Sequence, residues 1–476
     1  MILSKMQMVA IGVVAVVLIG GLSVAFVLND DDDDNPPTNE FTTSALFPVF
    51  GNANEDLKLD GADMAIIQSI IDGNAKFEDY PLADANDDGK INSKDIAQIG
   101  KLINNESCTI TVVGLDKDDK QVKVKMDFPV KNTLSFGTNM ALTIVNAGAS
   151  DSVVGVLDGL SYEKAAQKTI SDNKDQGVLV DLGLSRSNID SAVLINGISG
   201  LDNELGKNNE KIGALFLDHS ARGLDEFMGT VFEEIPVLRL AVADPLEEIY
   251  ASRLIGFLTG NDAVAYDYAE KSIEIIDYVM NAVKNVPDNE KKNYICMTMG
   301  IYICENDSEY NVVGEYAGAT PYYKVNSTFA EKYVGDGSTK MNSVEALSNY
   351  TDIDFMISNR SVDYLTTPKN NLTGAQTALL DSWDKSLKSG GYYSDYYKNL
   401  SNYEGLVYLN NLLPGALKIA FTAALVNPNQ VSMDYALEAL EDLEELCVSL
   451  NGVTFENSLI IGTYDDYENA GGANVN

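Results

Sequence analysis

The chain begins with an apolar run and leaves it abruptly. No charged residue occurs from Met8 to Leu28, a stretch of about 20 residues that suffices to cross a bilayer as a helix. Lys5 precedes it and Asp30 to Asp34 follow, which puts the N-terminus inside and everything after residue 29 outside. A cleaved signal peptide is the competing expectation, because Ser23-Val24-Ala25 offers small residues for cleavage. The run continues past that point, so residues 1–29 read as a single-pass anchor in the cell membrane. Residues 30–47 read as an acidic, proline-bearing linker.

Two short helical patterns come next, "MAIIQSII" and "DIAQIGKLI"; the second has apolar residues at Ile96, Ile99, Leu102 and Ile103. Past Cys108 the period drops to two. "TITVVGLDKDDKQVKVKMDFP" alternates around a "DKDD" turn and predicts a β-hairpin. Strands are then expected near Leu134, at "VVGV", at "GALFLD" (213–218) and at "VLRLAV" (237–242), with a helix from Asn139 to Asn146 between the first two. Residues 163–212 are long and polar and read as an insertion. A long helical stretch follows, broken at Gly260-Asn261-Asp262 and stopped before Pro287. A second set of strands is expected at "NYICMTMG", "DIDFMIS" (352–358) and "GLVYLN" (405–410), closed by helices at "PGALKIAFTAAL" and "MDYALEALEDLEELCVSL". Strands alternating with helices argue for parallel α/β sheets.

Each short helix is preceded by oxygen-bearing side chains at alternate positions. In "DANDDGKINSKD" (84–95), Asp84, Asn86 and Asp88 take loop positions 1, 3 and 5. Gly89 turns the chain at 6, Lys90 offers its carbonyl at 7, Asn92 stands at 9 and Asp95 at 12. Calcium takes six to eight oxygens, and this spacing wraps them around one point. "NANEDLKLDGAD" (52–63) repeats the spacing with Asn52, Asn54, Asp56, Lys58, Asp60 and Asp63. Asn52 costs that loop one charge, and Leu57 in place of glycine predicts backbone strain at the turn.

The two loops, each followed by a helix and closed by Asp, resemble a type I dockerin over residues 48–106. That resemblance implies a small all-α module with calcium as cofactor and a possible cohesin-type protein partner. The positions that grip a cohesin in that family are Gly61-Ala62 and Ser93-Lys94 here, which lack the usual hydroxyl pair. A calcium-stiffened spacer is the other reading of the module.

The remainder resembles the helical-backbone solute-binding proteins of ABC importers, the iron-siderophore and cobalamin type. "TLSFGTNMALTIVNAGASDSVVGV" is similar to that family's opening strand, site loop, helix and second strand. "LEEIYASRLIGFLTGNDAVAYDYAEKSIEIID" is similar to its connecting helix and the approach to it, and "SVEALSNYTDIDFMIS" to a helix and strand of its second lobe. The resemblance implies two Rossmann-like lobes joined by one long helix: a first lobe at 108–258, the connecting helix at 259–287, a second lobe at 288–462 and a tail at 463–476. It further implies a membrane-anchored extracellular protein that captures an iron chelate, corrinoid or haem-like ligand for an ABC importer permease. The ligand would sit on the loops at the strand C-termini. Carried onto this chain, the first lobe offers Phe136, Gly137, Thr138, Asn139, His219, Ser220 and Arg222. The second offers Met299, Gly300, Tyr316, Tyr322, Tyr323, Tyr392 and Tyr393. Permease docking falls to Glu204 and Glu345.

Composition sharpens this picture. There are 24 tyrosines against one tryptophan; a phenol ring can stack on a flat chelate or sit in a core. Arg222 suits an anionic ligand or a surface ion pair. A net charge of −38 repels phosphate backbones and excludes nucleic acid as a partner. The single histidine rules out a cage of several imidazoles, and no nucleophile elbow, phosphate loop or HExxH occurs, so the chain reads as a non-enzyme. Of the four cysteines, Cys296 and Cys304 could pair across neighbouring segments or remain buried thiols. The alternative function is calcium-dependent interaction at the cell surface through the dockerin-like module.

Overall fold

The computed structural model describes residues 43–463 except 44, 138, 158–169, 171–179, 185–188, 299–301, 305–308, 336, 341–349, 351, 360–405, 410–412 and 452–460. The expected membrane anchor lies outside the described residues. Among those described, no helix is long and apolar enough to cross a membrane.

The paired loops fold as repeats. Helix α1 (Gly61–Ile71) follows the first loop and α2 (Ser93–Ile103) the second. Each starts the same way: Asp60 and Asn92 cap the helix, and Asp63 and Asp95, three residues on, reach back to the cap N–H. This reciprocal exchange satisfies orphan donors at both helix starts. Ile67 and Ile99, which hold equivalent places in the two repeats, are fully buried.

This module is not a separate spacer. It is welded to the hairpin of β1 (Cys108–Leu115) and β2 (Gln121–Phe128). Val49 bridges Val112, Phe50 N–H donates to Thr111 O at 3.0 Å, and Val113 N–H donates to Pro48 O at 2.9 Å. Phe47, Leu59, Ile67, Ile99 and Leu102 share one hydrophobic core with Ile110, Phe128, Leu254 and Phe257. The second loop adds polar ties, for Asp87 pairs with Lys123 at 2.6 Å and with Lys125 at 3.7 Å.

The first lobe is a five-stranded parallel sheet in the order β5-β4-β3-β6-β7. Its strands are β3 (Thr133–Phe136), β4 (Val153–Val156), β5 (Val180–Asp181), β6 (Ala214–Asp218) and β7 (Val237–Leu240). Helix α3 (Met140–Asn146) follows β3, and α4 (Ser191–Gly206) precedes β6. Strands β3, β4 and β6 are buried along their whole length, as expected of parallel strands covered on both faces.

Two helices lead out of this lobe. Helix α5 (Pro245–Leu258) has Asp244 as its cap and proline at its first position, a favoured start because proline gives up an N–H that would be orphaned anyway. Gly260, at φ +84°, turns the chain, and α6 (Asp262–Val283) runs for 22 residues, about 33 Å. It is shorter at both ends than 259–287. The two helices approach closely at Gly256, where a Cβ would lie 2.2 Å from that of Ala265.

The second lobe departs from a purely parallel, Rossmann-like sheet. Strand β8 (Asn293–Thr298) pairs in parallel with β13 (Phe355–Asn359) and with β10 (Thr320–Pro321), and β13 pairs in parallel with β14 (Leu406–Leu409). Beyond this core, β9 (Tyr302–Ile303), β12 (Gly337–Lys340) and β11 (Val334–Gly335) extend one side, and β15 (Ile461–Thr463) the other, all antiparallel. The physical reason is connection length. Three residues separate β8 from β9, and only antiparallel neighbours can be joined so briefly. Helices α7 (Glu309–Tyr316), α8 (Tyr322–Val325) and α9 (Ser327–Tyr333) were not foreseen; α10 (Gly415–Val426) and α11 (Met433–Asn451) were.

Arg253 on α5 fastens the loop module to this frame. Its side chain is 1% exposed. Nε donates to Leu57 O at 2.8 Å, Nη2 pairs with Asp262 at 2.7 Å, and the guanidinium lies 4.2 Å from the centre of the Phe47 ring. Removing it unmakes all three contacts and leaves the Leu57 carbonyl to seek another donor. Arg253→Ala is expected to cost about 3 kcal/mol in urea unfolding. Arg222→Ala, which removes only a half-exposed pair with Asp119, should cost under about 1 kcal/mol.

Candidate functional site

The two loops present oxygens in the pattern calcium requires. In the second, Asp84 accepts Asp88 N–H at 3.1 Å and Gly89 N–H at 2.7 Å. Asn86 accepts Asp88 N–H at 3.0 Å, and Asp88 accepts Lys90 N–H at 3.0 Å. Asp95 closes the ring by accepting from Asn86 at 3.3 Å and Asn92 at 2.8 Å. These bonds shape the loop with each carboxylate's remaining lone pairs unspent. The first loop repeats them: Asn54 accepts Asp56 N–H, Asp56 accepts Lys58 N–H, and Asp63 accepts Asn54 and Asp60 N–H. The residues at position 4, Glu55 and Asp87, are both left-handed, at φ 56° and 54°.

The closing carboxylates are fully buried. Burial pushes Asp63 up to about 6 and raises Asp95 in the same direction, with neighbouring aspartates adding to both. A cation in each loop would relieve that cost. Among the described residues no group of three His, Cys, Asp or Glu side chains could hold a metal by itself; an ion here would need amide and carbonyl oxygens too. Those are present at Asn86 and Lys90, and at Asn54 and Lys58.

The first loop does differ at its turn. Leu57 is not among the described residues with positive φ, whereas Gly89 is at +80°. The strain expected at Leu57 is thus avoided. Asn52 makes this possible by donating its amide to Phe47 O at 2.7 Å and to Asp56 O at 2.8 Å. Its Oδ1 is left buried without a partner.

The second candidate region is the C-terminal edge of the first-lobe sheet. Gly137 has φ +128°, and a Cβ there would lie 2.0 Å from that of Asp218, so only glycine lets the β3 and β6 loops pass. Phe136 faces the other way; it is fully buried with Leu134 and Leu217 and belongs to the core, not to a ligand surface. Thr138 lies outside the described residues, and Asn139 is partly exposed at the start of α3. Asp218 folds back to accept Ser220 N–H at 2.9 Å and Ser220 Oγ–H at 2.7 Å. His219 is partly exposed, its N–H donating to Leu240 O and its carbonyl accepting from Arg239. Arg222 pairs with Asp119 at 2.5 Å and so takes the surface ion-pair reading.

Three residues that the sequence did not single out gather beside these loops. Asp244 caps α5, accepting Leu246 N–H at 2.7 Å. Burial pushes the Glu247 carboxyl up to about 7, with Asp244, Asp119 and Asp218 adding repulsion, while a bond from Asp244 N–H works against the rise. Tyr250 is raised by burial and by Asp244 and Asp277. From the second lobe, Tyr316 is raised by burial and then by Asp244, Tyr250, Glu247 and Glu315. The signal for the first two was available in "ADPLEE": Asp, Pro, then Glu three residues after Asp is a helix start. Glu247, Tyr250 and Leu240 also line a cavity of about 190 Å³ beneath Ala45, Pro48 and the hairpin.

Tyr322 is a correction. It is 1% exposed, packs edge-on to Phe329 and Tyr350, and donates to Asp352 at 2.5 Å. It belongs to the second-lobe core. Tyr323 is partly exposed beside it. Met299, Gly300, Tyr392, Tyr393 and Glu345 lie outside the described residues. Glu204 is exposed on α4 and pairs with Lys207.

No protein-family model matches the chain, and no curated protein matches it. Solved structures do. Nickel-bound CeuE of Helicobacter pylori is 15% identical over 71% of this chain and 97% of its own, at a TM-score of 0.48. An ABC transporter solute-binding protein from Sulfurospirillum deleyianum is 13% identical over 72% and 95%, at 0.47. The TroA-like periplasmic binding protein FepB from Veillonella parvula is 12% identical over 72% and 97%, at 0.48.

Glu247 gives the strand-end cluster a pH signature. Its carboxyl holds a proton up to about pH 7 when folded, against an ordinary value of 4.5, so folding takes up a proton between those limits. Stability should fall as pH rises through that window, by on the order of 2 kcal/mol. Glu247→Gln, which can still accept from Asp244 N–H, is expected to flatten the dependence in urea titrations across the window.

Proposed function

We propose that residues 108–462 capture a solute between the two α/β lobes and hand it to an ABC importer permease, outside a membrane to which the N-terminal run anchors the chain. The observation that carries this reading is the C-terminal edge of the first-lobe sheet, where Gly137 passes against Asp218 and leaves Asn139 and His219 partly exposed and Ser220 exposed. Open α/β sheets bind ligands at that edge. The buried helix pair α5–α6 holds the lobes in a fixed relation, which suits a preformed cleft.

An iron chelate, corrinoid or haem-like compound is the ligand class. With Arg222 spent on Asp119, the charge at the first-lobe edge is negative. This favours a neutral or cationic metal complex over a bare anionic one. Glu204 and Glu345 would meet basic residues of the permease. Calcium in the paired loops would brace the first lobe, because module and lobe share one core. A second reading keeps a cohesin-type partner: Gly61-Ala62 and Ser93-Lys94, the positions that would meet it, are all exposed.

Thermal shift of the purified chain tests these parts separately. A cobalamin, haem or ferric chelate at 100 times its dissociation constant should add about 2.7 kcal/mol. No shift with any of them, and uptake unchanged by deletion, would overturn the transport reading. Calcium should raise the melting temperature of the first lobe together with the module. Asp95→Asn should remove most of that rise, and Asp63→Asn a smaller part. A calcium-dependent pull-down of a cohesin-bearing protein, without any chelate shift, would favour the second reading.

A further inference from the structure

We propose that Cys296 and Cys304 close a disulfide across the β8–β9 hairpin under oxidising conditions. The register fixes their relation. Met297 faces Ile303 and Thr298 faces Tyr302, so the next pair outward is Cys296 opposite Cys304. Cys304 N–H donates to Cys296 O at 2.9 Å, which confirms the step. Directly opposed residues in a hydrogen-bonded antiparallel pair have Cα atoms about 5.5 Å apart, inside the roughly 4.4–6.8 Å range that disulfides span, while their Cβ atoms, at the wide end of the roughly 4.5–5.5 Å cross-strand spacing, must draw together by about 1 Å. Their side chains also project from the same face of the sheet.

The surroundings favour the bond. Both residues are buried, at 1% and 4% exposure, and both are thiols in the structure. Helix α7 is fastened over them: Asn311 Nδ2 donates to Cys304 O at 3.3 Å, and Tyr294 Oη donates to Asn311 O. Forming the bond keeps this register and asks the two strands to close in locally at the Cys296–Cys304 pair. Cys108 sits elsewhere, on β1, where Gln98 Nε2 approaches its sulfur at 3.5 Å and burial raises its thiol. It serves as an internal control.

The reaction is thiol–disulfide exchange with a low-molecular-weight disulfide as oxidant. One thiolate attacks the oxidant, forming a mixed disulfide and releasing one small thiol. The second cysteine then attacks its partner's sulfur and releases the other. The chain loses two protons and two electrons, and one small disulfide becomes two small thiols. Because both cysteines are buried, the exchange belongs to folding or to opening of the hairpin. The bond would tie β8 to β9, which flank residues 299–301 in the chain, so its effect on ligand capture rests on the transport reading, while the bond itself does not.

The test is peptide mapping after equilibration in reduced and oxidised glutathione, both on the native chain and during refolding, with acid quench and alkylation in denaturant. The expected result is a linked Cys296–Cys304 peptide, an intact mass lower by two hydrogens, and Cys108 still alkylated. Cys304→Ser should abolish the link and leave the second lobe melting at the same temperature under both conditions, whereas the parent melts higher when oxidised. Full alkylation of Cys296 and Cys304 after refolding in oxidised glutathione, or linkage of either to another cysteine, would overturn the proposal.

Discussion

A carboxylate without access to water holds the centre of the molecule. Glu248, on α5, accepts Asn146 Nδ2 of α3 at 3.0 Å, Ser252 Oγ at 2.8 Å and Tyr268 Oη of α6 at 3.0 Å. Burial raises its pKa, and those three bonds with Lys418 of α10 pull it back. One residue thereby joins α3 of the first lobe to both connecting helices. An apolar side chain could pack there at least as stably. What the polar group adds is direction: the donors on α3 and α6 must arrive from particular helices, so the first lobe and the connecting pair have one satisfied arrangement. Five residues along the same helix, Arg253 does the equivalent for the loop module. Helix α5 therefore carries both the carboxylate that orients the connecting pair on the first lobe and the positive charge that fixes the N-terminal module.

That arrangement changes what the paired loops are for. A dockerin-like module on a flexible tether would leave its faces for a partner. Here one side of the module is spent on the hairpin and on α5, through a continuous core from Phe47 to Leu258. Whatever stabilises the loops stabilises the first lobe, because the two share one apolar core. Arg253 takes Leu57 O directly, so the first loop is mechanically continuous with the N-terminus of α6 through Asp262. The second loop holds the hairpin through Asp87 instead.

Sequence patterning revealed the hairpin, α1, α2, α6 and, as short apolar runs, β3, β4, β6 and β7; β5 and α4 fall inside residues 163–212, which had read as an insertion and instead belong to the first lobe. The second-lobe edge was not legible. Strands β9, β10 and β11 are two residues long, too short to show a period, and are defined only by their neighbours. The site residues fail for a different reason. Phe136 and Tyr322 have the chemistry of ligand contacts, and nothing in a single chain says which side of its strand or helix an aromatic ring takes; the structure turns both inward. Asp244 and Glu247 were overlooked because a capping motif explains them locally. Only the fold shows that this cap follows β7 at the C-terminal edge of the first-lobe sheet.

The first loop shows how the same turn can be kept in shape by a different side chain. In the second loop Asp84 accepts from the backbone, its carboxylate turning the chain around an acceptor. In the first, Asn52 donates to the backbone instead, at Phe47 O and Asp56 O. The turn is held from inside by an amide, so glycine is no longer needed at position 6 and Leu57 avoids the left-handed region. Asn52 is also uncharged where its counterpart Asp84 carries a carboxylate. The repeats thus divide the work: the first, its turn closed upon itself, anchors α5 by giving Leu57 O to Arg253, and the second ties down the hairpin through Asp87.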